Sequence, residues 1–476
     1  MGYTQSAFLF IFLPVSILLY WGLSRFRSDK LQNAFAILIS VAFYAWGSID
    51  TLWLFLAFVL VVYLFGNVIY FAQQNGEIKR IRLWLAGGIT SVTAFLVYFN
   101  YVSFIIEIFQ GEQEAAGFAN TLLVPIGTSF VVFEAVSYLV DIYRRDAEPG
   151  SFWDALLFIS FFPKLTSGPI ILWRDFSDQL RRPAPTLAQI SSGLQRIIIG
   201  YAKKAIIADS LGAQGFSISE SILLQGSADT VSLWLNAVMY FFQLYYDFSG
   251  YSDISIGLAR IFGFSWKENF KFPYISRSIT EFWRRWHISL GTWFREYIYI
   301  PLGGNRRGNV YLNLLIVFFL TGVWHGANWA FILWGLLHGI VMLLERCIRD
   351  KHWYRLIPGV CKWAFTMMVV FFGWILFMSG DWKDFTTTIN QMFSYRSGSS
   401  YDLSWRYFAS QKILILLVIA MLGSILPVFP FKKQLCRLHE QPAVLLLEKL
   451  GLLVLLVTSI LFVVNSSYSP FLYFQF

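Results

Sequence analysis

The feature that most constrains this chain is a succession of apolar stretches, each about long enough to cross a lipid bilayer. A transmembrane helix needs ~20 mostly apolar residues. Nine stretches of this kind lie near 6–24, 31–48, 51–72, 83–108, 120–143, 229–246, 360–379, 410–428 and 443–464. Charged residues make up only 14% of the chain, against roughly 25% in soluble domains. The sequence therefore predicts an integral membrane protein.

Three further apolar segments are interrupted by polar residues, glycine or proline. They lie near 152–172, 190–208 and 310–346, and each could be a span, a half-helix or an interfacial helix. We expect about eleven transmembrane helices in all, at ~20 residues each. No polar run is long enough for a soluble domain. We therefore expect one membrane domain, with N-terminal spans in 1–119, a core rich in buried polar residues in 120–346, and C-terminal spans in 347–476.

The net charge of +9 is better explained by membrane topology than by nucleic-acid binding. The basic residues form short runs between apolar segments, at 25–30, 79–82 and 144–145, instead of one basic face. The alternate loops, at 49–51 and 109–119, carry only acidic charge. By the positive-inside rule, the basic loops face the cytoplasm. The N-terminus is therefore expected outside the cytoplasm.

The same rule places the later loops. The basic runs 349–355 and 432–437 are expected inside, which leaves 380–409 and the C-terminus outside, although basic residues in 380–409 weaken the contrast. The N-terminal run has no positive n-region and no small-residue cleavage site, so it is predicted to be a retained span. The three cysteines are isolated, without CxxC spacing, and support neither a disulfide framework nor a zinc or other metal site.

The segment 310–346 places a histidine at the centre of a long apolar run. Both ends of the segment are basic, which predicts a helical hairpin or a re-entrant pair with His325 at its deepest point. If the chain stays helical, Asn328 shares a face with His325. A neutral imidazole, with an ordinary pKa of ~6.5, is suited to take a proton from an alcohol that attacks an acyl group.

A structural role for His325 is the alternative, because an intramembrane histidine can simply hydrogen-bond a neighbouring helix. The flanking Gly322 and Gly326 form a GxxxG pair, which more often indicates close helix packing than a substrate gap. Helix packing alone does not explain a buried ionisable side chain. His338, thirteen residues after His325, would point about 220° away on an ideal helix and is not assigned to catalysis.

The segment 281–308 predicts an amphipathic helix at the membrane interface. Aromatic residues recur at helical spacing, while Arg284, His287 and Arg295 fall on the opposite side. An interfacial anchor is the simpler interpretation of the Trp and Arg residues. The terminal PLGGNRRG run offers glycine amides, Asn305 and Arg306, which could hold the phosphates of a cytoplasmic donor, although such loops are common.

The segment 240–263 places polar residues at the end of an apolar span. Asp247, Ser249 and Asp253 could form an acid/base pair or a proton relay, or could line a substrate path. With no base partner identified, a structural or substrate-lining role is favoured.

Taken together, these segments resemble the membrane-bound O-acyltransferase superfamily, and most closely its bacterial branch for alginate O-acetylation. The resemblance is carried by long motifs in one order: PIGTSFVVFEAVSYLVDIYR at 125–144, FFPKLTSGPI at 161–170, YYDFSGYSDISIGLAR at 245–260, FWRRWHISLGTWFREYIYIPLGGNR at 282–306, TGVWHGANWAFILWGLLHG at 321–339 and SPFLYFQF at 469–476. It implies an all-α polytopic fold whose spans and re-entrant helices surround a central funnel or tunnel.

The resemblance also implies the chemistry. His325, in the WHG motif, corresponds to the family's catalytic histidine, and His287, in the RWH motif, to the second histidine of the active region. Ten further residues of these segments are candidate substrate-binding or donor-binding residues: Trp324, Asn328, Trp286, Arg284, Arg295, Asp247, Ser249, Asp253, Asn305 and Arg306.

The implied reaction is transfer of an acetyl group from a cytoplasmic donor to an extracytoplasmic polysaccharide. The donor is expected to be acetyl-CoA or an acyl-carrier thioester, with no resident cofactor, and whether an acyl-enzyme forms stays open. A multi-pass protein of the bacterial cell membrane is implied. A separate periplasmic or surface acetyltransferase is the expected partner, and no nucleic acid.

Two other functions compete with this interpretation. Within the family, D-alanyl transfer to teichoic acid uses a thioester on a carrier protein, but the PLGGNR segment and the long C-terminal third fit the alginate type better. A polysaccharide transporter or flippase would also need polar groups at membrane depth. We see no inverted repeat, and a transporter does not explain the ordered histidine motifs.

Overall fold

The structure is a computed structural model that describes residues 2–26, 28–166, 168–181, 185–225, 229–394, 404–426 and 441–465. Within these ranges the regular structure is helical, without a β-strand. The motif at 469–476, Cys436 and the basic run 432–437 lie outside the described residues. The predicted all-helical class is therefore confirmed for the described part of the chain.

The helices are numbered here in chain order. Those of the first half are α1 Leu13–Ser24, preceded by a π-helical turn Phe8–Phe12, α2 Asp29–Gly47, α3 Leu52–Gln74, α4 Ile78–Asn100, α5 Val102–Gln110, α6 Glu112–Thr121, α7 Thr128–Arg144, α8 Phe152–Ser160, α9 Phe162–Leu165, α10 Trp173–Ser177 and α11 Leu187–Tyr201. A π-helical segment, Ala202–Ala208, joins α11 to α12 Asp209–Gln225, and α13 is Thr230–Ile261.

The remaining helices include several short ones. They are a 3₁₀ turn Pro273–Ile275, α14 Ile279–Trp283, α15 Ile288–Phe294, a π-helical turn Arg295–Tyr299, α16 Val310–His325, α17 Trp329–Ile348, α18 His352–Leu356, α19 Gly359–Met378, α20 Trp382–Phe393, α21 Trp405–Phe408, α22 Gln411–Ile425 and α23 Pro442–Asn465.

Among the described residues, five helices are long and apolar enough to cross a membrane: α3, α4, α17, α19 and α23. Phe8–Ser24, α16 and α22 are shorter apolar helices. The predicted span near 83–108 is interrupted at Tyr101, where α4 ends and α5 begins. The predicted span near 120–143 begins only at Thr128. The chain is thus a multi-pass membrane protein, and the part of it that the structure describes contains fewer clear spans than the eleven expected for the whole chain.

The chain divides into two compact units, each built from segments that are separate in sequence. The first unit comprises Met1–Ile197, Ile254–Lys267 and Thr292–Pro301. Its interior contains a fully buried ion pair between Lys164 and Glu134, 2.5 Å apart. The Tyr297 hydroxyl also donates to the buried Asp141 carboxylate at 2.7 Å. Pairing offsets part of the cost of placing these charges away from water.

The second unit comprises Ile198–Asp253, Glu268–Gly291 and Leu302–Phe476. It contains His287 and His325, together with α16, α17 and α19. Helices α16 and α17 pack against each other along their length. At Gly335, an added Cβ would collide with the Phe318 carbonyl oxygen. Only glycine permits this close approach, which allows the two helices to form one tight hairpin.

Candidate active site

His325 lies at the tip of the hairpin formed by α16 and α17. It is the last residue of α16, and Gly326 ends the helix with φ 160° and ψ 157°. The chain then turns through Ala327 and re-enters a helix at Trp329. The predicted hairpin with a central histidine is therefore what the structure contains. The turn also explains Gly326, since an added Cβ there would lie 2.7 Å from the Phe331 ring.

The imidazole of His325 is enclosed by aromatic rings. Only 2% of the residue is exposed. Trp324 lies at 4.7 Å between ring centroids, Trp334 at 5.0 Å and Phe377 at 5.2 Å, and the last two meet the imidazole nearly edge to face. Such a cage excludes bulk water, which strengthens electrostatic interactions with a bound reactant.

His287 occupies the break between α14 and α15. Its φ is 44°, in the left-handed region, which costs an L-residue roughly 1–2 kcal/mol. The neighbouring backbone compensates, because Ile288 N donates to Asn269 O at 2.9 Å and Lys271 N donates to Arg285 O at 2.9 Å. The prediction of one amphipathic interfacial helix is wrong here, since the chain breaks at His287.

The aromatic residues of the segment 281–308 also lie elsewhere than predicted. Its large side chains lie inside the protein instead of at a membrane interface: Phe282, Trp286, Leu290, Trp293, Phe294 and Tyr297 are all buried. Trp286 stacks on Phe282 and contacts Trp374 in a tilted arrangement, with ring centroids at 5.6 and 4.9 Å. Trp286 therefore supports the site as part of its aromatic core.

Asn269 fixes the orientation of His287. The fully buried amide oxygen of Asn269 accepts from Ser289 N at 3.1 Å and from the Ser289 hydroxyl at 2.9 Å. Because Ser289 N can only donate, the Asn269 atom that it contacts must be the amide oxygen. His287 Nδ1, which lies 3.2 Å from that oxygen, is therefore the donor. In the neutral ring, Nε2 is then the basic nitrogen. Asn269 Nδ2 in turn donates to Ser252 Oγ of α13 at 3.0 Å.

Trp324 connects the two histidines. Its ring centroid lies 4.7 Å from that of His325 and 6.3 Å from that of His287. Phe248, on α13, packs under His287 at 4.6 Å. The structure thus brings together three of the predicted site residues, His287, Trp324 and His325, from separate segments. Two buried imidazoles therefore lie near one indole, and a neutral imidazole can accept a proton from a bound hydroxyl.

Asn328 is placed differently from the expectation that it shares a helical face with His325. The chain is not helical between the two residues. Asn328 has an extended backbone and is the N-cap of α17, where its side-chain oxygen accepts from Ala330 N at 2.8 Å. Such a cap satisfies an otherwise unpaired helix N–H group. Asn328 thereby helps to fix the turn that carries His325.

The aspartates of α13 are held in ion pairs, of which the Lys204–Asp247 pair is fully buried and the Lys203–Asp253 pair is partly buried. Lys204 Nζ lies 2.8 Å from Asp247 Oδ1 and 2.5 Å from Asp209 Oδ1. Lys203 Nζ lies 2.6 Å from Asp253 Oδ2. Ser249 is buried on the same helix. The lysine partners were missed in the sequence because Lys203 and Lys204 lie more than forty residues before the aspartates. The structural or substrate-lining role favoured for Asp247 and Asp253 stays a prediction, and these ion pairs are compatible with its structural form.

Four predicted donor-binding residues lie at the surface. Arg284, Arg295, Asn305 and Arg306 are exposed, whereas both imidazoles are buried. The glycine-rich run forms a tight turn in which the amides of Arg306 and Arg307 both donate to Gly303 O, at 3.1 and 3.0 Å. Arg346 donates to Asn305 Oδ1 at 3.3 Å. These amides are therefore used within the turn, while the guanidinium of Arg306 stays open to a ligand.

His338 lies closer to the site than an ideal helix predicts. Its ring is fully buried, 5.2 Å from Trp334, which also contacts His325. An angle of about 220° between the two residues holds only for one continuous helix, and the chain reverses between His325 and Trp329. His338 is thus separated from His325 by a single indole ring.

The chain matches known proteins over most of its length. A model of the membrane-bound O-acyltransferase family matches residues 38–388, well over half of the chain. The probable alginate O-acetylase AlgI of Pseudomonas putida is 36% identical, with 100% of both chains covered. The peptidoglycan O-acetyltransferase of Helicobacter pylori is 30% identical, over 84% of this chain and 81% of the relative.

A more distant similarity covers part of the chain only. The teichoic acid D-alanyltransferase of Bacillus subtilis is 33% identical over 39% of this chain and 50% of its own. All three relatives are acyl-transfer enzymes by name. The protein therefore belongs to the membrane-bound O-acyltransferase family and is a multi-pass membrane acyltransferase.

Proposed function

We propose that this protein transfers an acetyl group from cytoplasmic acetyl-CoA to a hydroxyl group on the extracytoplasmic side, for O-acetylation of a polysaccharide. The observation that carries this proposal is the pair of buried imidazoles, His287 and His325, which both lie near the Trp324 ring. A buried base in an aromatic enclosure suits acyl transfer, because it can activate a hydroxyl while water is kept out.

In the proposed reaction, His325 is the general base. It takes the proton of the accepting hydroxyl as that oxygen attacks the thioester carbonyl carbon. The new C–O bond forms, the C–S bond breaks, and the proton passes from the imidazolium to the departing thiolate. His287, oriented by Asn269, is proposed to hold the acyl group or the donor near His325 through Nε2.

The hairpin supports transfer across the membrane. The ends of α16 and α17 that lie away from the His325 turn are flanked by arginines, which the positive-inside rule places in the cytoplasm: Arg306, Arg307, Arg346 and Arg349. Helix α16 has 16 residues, or about 24 Å at 1.5 Å per residue. His325 would then lie toward the extracytoplasmic side, where an acceptor can reach it. We propose that the donor enters from the cytoplasm and that both termini are extracytoplasmic.

A partner is part of this proposal. A separate extracytoplasmic acetyltransferase would carry the acetyl group from this protein to the polymer and select the acceptor. The alginate and peptidoglycan named for the relatives are the acceptor classes to examine first. D-alanyl transfer is the second candidate, favoured only by the partial match to the teichoic acid enzyme.

The test uses purified protein in proteoliposomes with radiolabelled acetyl-CoA outside and an alginate oligosaccharide with the partner enzyme inside. The proposal predicts labelled acetyl ester in the lumen, in amounts that depend on His325. A carrier protein loaded with D-alanine, tested in place of acetyl-CoA, should give no product. Transfer of D-alanine without transfer of acetate would overturn the proposal in favour of the second candidate.

A further inference from the structure

A buried carboxylate of α17 lies at the start of the chain segment that carries His287. Glu345 is 7% exposed and belongs to the last turn of α17, which ends at Ile348. Its Oε1 atom accepts from Ile279 N at 2.6 Å, and its Oε2 atom accepts from Thr280 N at 3.1 Å and from the Thr280 hydroxyl at 3.2 Å. Glu345 thus satisfies two of the first amides of α14, which have no partner within that helix.

The segment between this contact and His287 is a continuous series of tight turns. Helix α14 ends at Trp283. The amides of Arg285 and Trp286 then both donate to Phe282 O, at 2.9 and 2.8 Å. His287 follows directly, with its left-handed φ. Because hydrogen bonds hold the backbone along this segment, a displacement at the start of α14 should also displace His287.

Helix α17 supports both histidines of the site. It begins directly after the turn that carries His325. Helix α14 packs against α17, where the ring centroids of Trp283 and Trp334 lie 5.6 Å apart. His325 is therefore attached to α17 through the turn at its first residue, and His287 is attached to it through α14.

A carboxylate is suited to this contact. Glu345 receives three donors on its two oxygens, and a carboxylate only accepts hydrogen bonds. A glutamine side chain has one acceptor oxygen, and its NH₂ group would face an N–H donor. Since buried donors without a partner are costly, Glu345→Gln should displace the start of α14 from α17.

We infer that Glu345 is a positioning residue for acyl transfer, which sets the place of His287 relative to His325 by anchoring α14 to α17. The inference rests on the proposed function, because that function gives the two imidazoles a joint role. It adds a residue at the opposite end of α17 from His325, which acts on the reaction through His287.

The test compares Glu345→Gln with a matched variant, Asp229→Asn, using the full chain in phosphatidylcholine nanodiscs. Asp229 is also a buried carboxylate, 6% exposed. It likewise accepts from two backbone amides and one hydroxyl, those of Ser232 N, Trp405 N and Ser232 Oγ. Because these contacts lie at the start of α13 and not on α14, their loss should lower stability without displacing His287.

The first readout is the protonation pattern of the His287 ring. Magic-angle-spinning ¹⁵N NMR of protein labelled at histidine detects it, with the His287 signals assigned from their loss in His287→Gln. The wild type and Asp229→Asn should show one neutral form, protonated at Nδ1, because the ring faces the Asn269 oxygen. Glu345→Gln should show both neutral forms, since a displaced ring is no longer held by that oxygen.

The second readout is acetyl transfer at matched amounts of folded protein. The kcat of Glu345→Gln should fall about tenfold with unchanged KM, as expected for buried donors left unpaired. The kcat of Asp229→Asn should match the wild type. Adding Asn269→Ala to Glu345→Gln should lower kcat by less than the product of the two separate effects, because both variants act on the same ring.

An unchanged His287 spectrum in Glu345→Gln, or an equal loss of kcat in Asp229→Asn, would overturn the inference. If Glu345→Gln does not fold, Glu345→Asp decides, because it keeps both oxygens and shortens the side chain by one methylene group. It should lower kcat without changing KM, and a wild-type kcat would overturn the inference. Absence of acetyl transfer by the wild type would overturn the proposed function alone, because the NMR comparison needs no acyl donor.

Discussion

Replacement of Asn269 by alanine tests whether His287 must be held in one orientation. The variant removes the oxygen that accepts from His287 Nδ1 and from both the amide and the hydroxyl of Ser289. It leaves the backbone of the turn at residues 269–271 and 285–288 in place. We therefore expect a folded protein in which the imidazole of His287 is no longer held in one orientation.

The magnitude follows from the lost hydrogen bonds. A buried donor left without its partner costs about 1–3 kcal/mol. If the transition state requires the His287 ring in its native orientation, this cost is added to the activation free energy. At ~1.4 kcal/mol per tenfold change, kcat/KM should then fall roughly 10–100-fold. The effect should appear in kcat more than in KM, because Asn269 is a positioning residue that acts through His287.

The assay compares acetyl transfer by wild-type and variant proteins at matched amounts of folded protein. Asn269→Asp keeps an oxygen acceptor and should recover part of the activity. Ser252→Ala removes only the contact on the amide nitrogen side and should cost less than Asn269→Ala. Wild-type kcat for Asn269→Ala, or no recovery in Asn269→Asp, would refute the positioning role.

Two further predictions concern stability. Lys204→Met leaves Asp209 and Asp247 without the ammonium group they share, which should lower the free energy of unfolding by about 3–5 kcal/mol and the thermal unfolding midpoint by several degrees. Adding Asp209→Asn and Asp247→Asn should restore most of the lost stability, and no restoration would show that the unpaired charge is not the cause. Gly335→Val places a side chain against the Phe318 carbonyl, which should cost at least about 1–3 kcal/mol and separate α16 from α17; a variant with wild-type stability and activity would contradict this packing.

Some features could be predicted from the sequence because they depend on local pattern. The apolar runs predict membrane helices, and the basic residues at both ends of 310–346 predict the hairpin with His325 between its arms. Gly322 was expected to serve packing, and an added Cβ there would indeed meet the Phe331 carbonyl. These inferences need only the spacing and chemistry of neighbouring residues.

Other features depend on contacts between distant residues. Asn269 lies 18 positions before His287 in a polar stretch without periodicity, so no local signal connects the two. Lys204 pairs with Asp247 across two helices, and neither residue specifies its partner. The positive φ of His287 could not be predicted either. The aromatic spacing in 282–297 favours one continuous helix, and tertiary hydrogen bonds override that local preference.

The central claim is that His325 is the base for acyl transfer. The measurement is acetyl incorporation into surface polysaccharide in cells that carry wild-type, His325→Ala or His338→Ala protein, with membrane levels matched by blot. His338 is the control, because it is equally buried against the same indole ring. We predict loss of acetylation for His325→Ala and substantial acetylation for His338→Ala; equal acetylation in wild-type and His325→Ala cells would contradict the assignment and make His325 a structural residue.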